Sequence, residues 1–138
     1  MSVESWNPNQ AAAPKTQDTE QTIPLLKRFS SLAANTEKLD SLATNLSEQE
    51  QQQNHLMNWE QEQWPPILKD FSDDELIQLI KFFTLIEMQL SGWQAGHKSP
   101  VIAINRELKK RGERLDKELL IWIRENSNNR FIPNGAIL

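Results

Sequence analysis

The stretch Leu76 to Leu90, LIQLIKFFTLIEMQL, limits the fold more than any other part of the chain. Leu76, Ile77, Leu79, Ile80, Phe82, Phe83, Leu85, Ile86, Met88 and Leu90 recur at helical spacing yet cover most of the helix circumference. A helix that is apolar on nearly every side has to be wrapped by other elements or keep one face for a partner. Its ends are written in the sequence: Ser72 is placed to cap it, Asp73, Asp74 and Glu75 set negative charge against the positive end of its dipole, and Gly92 stands where a left-handed residue closes it. Gln78, Lys81, Thr84 and Glu87 interrupt the apolar run, which falls short of the roughly 20 residues of a membrane span. The chain is therefore read as all-α, a small bundle of three to five helices.

Other helices follow from caps and periods. Ser99 and Pro100 form a cap and first-turn pair ahead of Val101, Ile104 and Leu108, which share one face, and Gly112 ends that helix. Asp116 caps a further helix in which Leu115, Leu119, Trp122 and Ile123 are expected to face inward, and ENSNN leaves it. Phe131 and Ile132 are expected to pin the tail to the core. Upstream, Leu25, Leu32, Leu39 and Leu46 fall every seventh residue, with Thr22, Phe29, Thr36 and Ala43 at the companion positions. That spacing suits either a packing helix within the chain or the seam of a homodimer. Ser47 to Glu50, SEQE, has the form of a capping box and predicts a helix that runs to Trp64, where Pro65 and Pro66 stop it. Residues 1–22 are acidic, polar and without periodicity, and are expected to be disordered. Residues 23–60 are expected to form a helical segment, either a mobile extension or a coiled-coil-like stretch, and residues 61–138 the helical core domain.

Composition narrows the chemistry. At 138 residues the chain has room for one domain and a tail, and the absence of cysteine removes disulfides, zinc ribbons, iron–sulfur clusters and thiol nucleophiles. The first residues, MSVESWNPNQ, do not read as a secretion signal, so a cytoplasm, bacterial or similar, is the expected compartment. His55 and His97 have no helical His or Glu partner at metal-ligand spacing, and neither a metal nor a cofactor is expected. No order of residues argues for a nucleophile and its base.

Charge is distributed unevenly: residues 1–90 carry 6 Lys and Arg against 14 Asp and Glu, and residues 91–138 carry 9 against 5. The acidic part could fold back over the basic part. Arg106, Lys109 and Lys110 share a helix face, and Arg111, Arg114 and Lys117 continue past the turn, a stripe able to neutralise phosphates of RNA, DNA or a ribosome. Glu107, Glu113, Asp116 and Glu118 dilute it. The loop GWQAGHKSP, Gly92 to Pro100, admits two readings: a joint between buried helices, or an anion or nucleotide site at Lys98 and Ser99 beside a helix start. The expected function is non-enzymatic, a small adaptor or regulator that binds a protein partner through Trp6, Phe83, Trp93 and Phe131, because the apolar helix surface exceeds what three helices hide.

Overall fold

The computed structural model describes residues 13–35 and 39–134, and every regular element among them is helical. Six α-helices follow one another: α1 (Ala13–Asn35), α2 (Glu48–Gln51), α3 (Pro65–Leu68), α4 (Asp73–Gln89), α5 (Pro100–Lys110) and α6 (Lys117–Asn126). Four 3-10 turns join them: Leu39–Asn45, Asn54–Asn58, Gln61–Gln63 and Gly96–Lys98. Trp6 and the rest of residues 1–12 lie outside the described residues.

The apolar rod of the sequence is α4, and it lies at the centre. Ser72 Oγ accepts the Glu75 N–H at 3.1 Å while Glu75 Oε1 accepts the Ser72 N–H at 2.8 Å, the reciprocal bonds that fix its start. α1, α5, α6 and the 39–45 turn pack around it. Of its apolar side chains Met88 alone is exposed, and Ile77 is half-buried. The chain's own helices therefore wrap the face that might have been left for a partner.

α1 supplies the largest share of that cover. Thr22, Leu26, Phe29 and Ala33 are buried at successive spacings of four, three and four residues, a single helical stripe. Phe29 stacks on Phe82, with ring centroids 4.2 Å apart and planes within 10°, and meets the edges of Phe83 and Trp93 at 6.3 and 6.2 Å. Leu25 and Leu32 only flank this stripe, half-buried. α1 ends at Asn35, and Leu46 is buried in the chain's own core, 6% exposed. Leu25, Leu32, Leu39 and Leu46 thus do not form one dimer seam on a continuous helix; the side chain of Leu39 lies outside the described residues. The helical stripe wins over the seven-residue count because it turns Leu26 and Phe29 onto α4.

The helix expected from Ser47 to Trp64 is instead broken into α2 and two 3-10 turns. The capping box forms, with Ser47 Oγ accepting the Glu50 N–H at 3.1 Å, but α2 stops after one turn. The reason is geometric. Leu56, Met57, Trp59 and Trp64 are all buried, and on one straight helix Met57 and Trp59 would point roughly 160° apart. Pro65 and Pro66 begin α3 rather than only ending its predecessor, since their missing N–H groups cost nothing in a first turn. Leu26, Leu42, Leu56, Trp64, Phe82 and Ile104 belong to one core cluster, so the stretch 23–60 contributes to the same interior as the residues after it.

Arg111 ties the α3–α4 turn to the end of α5. Its Nη1 donates to the Phe71 carbonyl at 2.7 Å and to Asp73 at 2.9 Å, Nη2 donates to the Leu68 carbonyl at 3.0 Å, and Nε donates to Glu107 at 2.9 Å. The hydrogen bond to Asp73 is the first reason that the guanidinium is held above its ordinary pKa, with Glu107 adding to it against the cost of burial.

Candidate functional site

The loop between α4 and α5 is built as a joint, and it does hold an anion, although one that the chain supplies. Gly92, at φ +89°, turns the chain past the end of α4 where an L side chain would be strained. Trp93 then enters the core, 1% exposed, and its indole N–H donates to the Gln51 carbonyl at 3.0 Å. Glu87, near the end of α4 and 6% exposed, turns its carboxylate under the loop. Its Oε2 accepts the N–H of Ala95 at 2.7 Å and of Gly96 at 3.2 Å. The Asn129 amide donates to both Glu87 oxygens at 3.2 Å and to the Gly96 carbonyl at 3.0 Å, while its own oxygen accepts the Phe131 N–H at 2.9 Å. One buried carboxylate therefore clasps α4, the loop and the C-terminal segment together. A buried charge is tolerable only when its lone pairs are filled in this way.

At the α5 end of the loop, Ser99 is 2% exposed and its hydroxyl accepts the Val101 N–H at 3.2 Å. Pro100, Val101 and Ile102 are buried. Lys98 lies 3.6 Å from Glu60. The first turn of α5 is thus packed into the core, and the anion site expected at Lys98 and Ser99 is not open there. His97 and Phe131 meet edge to face at 5.9 Å on the surface beside it.

The expected partner-binding aromatics separate. Phe83 and Trp93 are core residues at 1% exposure each, so neither offers its ring to a partner; both are consumed by the contact with Phe29 and α1. Phe131 is exposed and lines a shallow pocket with Met88, Arg130 and Asn128. Trp6 lies outside the described residues.

The cations separate as well. Arg111 is spent on its four internal bonds. Lys109 donates to Asn134 Oδ1 at 3.3 Å, part of a tie in which buried Asn105 donates to the Pro133 carbonyl at 3.0 Å. Arg106, Lys110 and Arg114 are exposed and make no hydrogen bond or ion pair with any described residue. Glu107, expected to dilute the stripe, is 9% exposed and bound to Arg111. α1 packs chiefly along α4 and the 39–45 turn.

Sequence reasoning missed the surface of α6. Leu119, Leu120, Ile121, Trp122 and Ile123 are five consecutive apolar residues, of which only Ile123 is fully buried. Leu119, Leu120 and Trp122 are half-buried and Ile121 is 45% exposed. A groove lined by Ile77, Leu115, Leu119 and Trp122 runs beside them, together with Lys81, Arg114, Asp116 and Glu118. The signal was present in LLIWI: a run without polar interruption cannot place all its members on the one side that faces α4. Among the described residues no group of three or more His, Asp or Glu side chains gathers as a metal site would need, and no helix is long and apolar enough to cross a membrane. No protein-family model, curated protein or solved structure matches the chain.

Proposed function

We propose that the chain is a non-enzymatic adaptor or regulatory protein whose partner is another protein, and that α6 is its docking element. The observation that carries this reading is Ile121, 45% exposed, on a helix whose Leu119 and Trp122 also line a groove with Ile77 and Leu115. A full burial of an isoleucine side chain is worth roughly 1.5–3 kcal/mol, so covering the 45% of Ile121 that remains exposed is worth about 1 kcal/mol before its neighbours are counted. Tryptophan at the edge of such a patch is the residue type that interfaces favour.

The charges around Ile121 give the patch a direction. Lys117 and Arg124, four before and three after it, lie on one side, and Glu118 and Glu125, three before and four after it, lie on the other; all four are exposed. An exposed isoleucine between a basic row and an acidic row selects the orientation of an incoming helix.

A photo-crosslinking amino acid at position 121 tests this reading in cells, with the same group at exposed Gln49 as the control. One discrete protein adduct at 121, absent at 49 and suppressed by Trp122→Ala, is the expected result. Equal labelling at the two positions, or none at 121, would overturn it.

A further inference from the structure

α5 shows water only three of its eleven side chains, Arg106, Lys109 and Lys110, and all three are cations. The one acid on the helix, Glu107, is turned inward and neutralised by Arg111. Arg106 and Lys110 stand one turn apart, a like-charged spacing that destabilises a helix unless something answers it. Between them and the 61–65 segment lies a cleft of about 240 Å³, lined also by Gln61, Glu62, Pro65, Ala103 and the Arg111-bound Glu107.

From this we infer that the cleft takes an acidic segment of a partner protein: a glutamate whose methylenes lie on Pro65 and Ala103 and whose carboxylate bridges Arg106 and Lys110. This docking rests on the protein-binding reading given above but uses a different face from α6. The number of cations decides against nucleic acid. Phosphate-backbone binding gains with each cation that neutralises a phosphate and loses with each acid beside it. This face has Arg106, Lys109, Lys110 and Arg114, with Glu62 and the Arg111-bound Glu107 in the cleft wall and Glu113 at the turn. Arg106 and Lys110, unpaired among the described residues, beside Pro65 and Ala103 match one carboxylate on a short aliphatic stem, and Glu62 admits a donor from the same segment.

The test uses the full chain and a fluorescein-labelled eight-residue peptide of alternating Ala and Glu, its Ala and Gln counterpart, and an eight-nucleotide single-stranded RNA, each followed by anisotropy. The Glu peptide is expected to bind about tenfold more tightly than the Gln peptide and to weaken as salt shortens the Debye length. Arg106→Gln and Lys110→Gln should each reduce its affinity about fivefold or more, the size of one charge-assisted contact. Both residues are exposed, and unchanged urea midpoints confirm that the variants fold. Ile121→Glu should leave peptide binding unchanged, so a failure here is separable from a failure at α6. Equal binding of the Glu and Gln peptides, indifference to both α5 substitutions, or tighter binding of the RNA would each overturn the assignment.

Discussion

Glu87→Gln is the substitution whose cost follows most directly from the structure. Glu87 accepts the Ala95 and Gly96 N–H groups on Oε2 and the Asn129 amide on both oxygens. In glutamine one oxygen remains for the two backbone donors, and the other becomes an NH₂ that faces the Asn129 NH₂. Asn129 cannot flip to relieve this, because its oxygen holds the Phe131 N–H and its nitrogen the Gly96 carbonyl. The change thus removes a hydrogen bond to a charged acceptor and sets two donors against each other, a loss of about 1.5–3 kcal/mol. Glu87→Ala leaves the half-buried Ala95 and Gly96 donors without their carboxylate and should cost about 2–4 kcal/mol. Urea unfolding followed by tryptophan fluorescence gives the global number, and hydrogen exchange at the Ala95 and Gly96 amides gives the local one. Those two amides should lose protection in Glu87→Gln more than the amides of α4 do. A Glu87→Gln protein within about 0.5 kcal/mol of the parent, with both amides still protected, would refute the clasp.

Gly92→Ala should cost about 1–2 kcal/mol, since φ is +89° and an added Cβ would stand 3.1 Å from Asn54 Nδ2, whereas Gly96→Ala, at φ +58° with open space around it, should cost less; paired thermal melts decide the order. Arg111→Lys should destabilise by roughly 2–4 kcal/mol in urea, because an ammonium cannot serve Asp73, Glu107 and two carbonyls at once. Glu75 is held below the ordinary glutamate pKa, first by its hydrogen bond to Lys27 and then by the Ser72 amide, against burial. The unfolded chain therefore binds the extra proton, and this contribution is complete above about pH 4.3 and disappears as pH falls through the lower folded value. Lys27→Met should flatten that acid limb of a urea-midpoint-against-pH series; with both partners about a third exposed the change is small, and an unaltered limb would contradict it.

Much of the fold was legible in the sequence wherever local chemistry decides. The Ser72 and Ser47 caps, Asp116 at the start of α6, Pro100 in the first turn of α5 and Gly92 beyond α4 all follow from groups that act on their immediate neighbours. Tertiary demands were less visible. The seven-residue leucine spacing was real, but Phe29 and Leu26 had Phe82 and Phe83 to pack on, so the helix turned its other stripe inward. The glutamine-rich segment read as a helix because nothing local shows that Leu56, Met57, Trp59 and Trp64 are all needed in one core. For the candidate sites the same division holds. The exposure of Arg106 and Lys110 follows from α5 periodicity. The loss of Arg111 to Asp73, and of Phe83 and Trp93 to the core, depends on contacts made 38 to 64 residues away in sequence.

The clearest single measurement is the affinity of the purified partner for Ile121→Glu compared with the parent chain, by isothermal titration at one ionic strength. Losing the apolar contact and burying a carboxylate in its place should cost about 2–3 kcal/mol, roughly 30- to 150-fold in Kd. The same urea midpoint in both proteins would show that the fold is intact. An unchanged Kd would contradict α6 as the docking element.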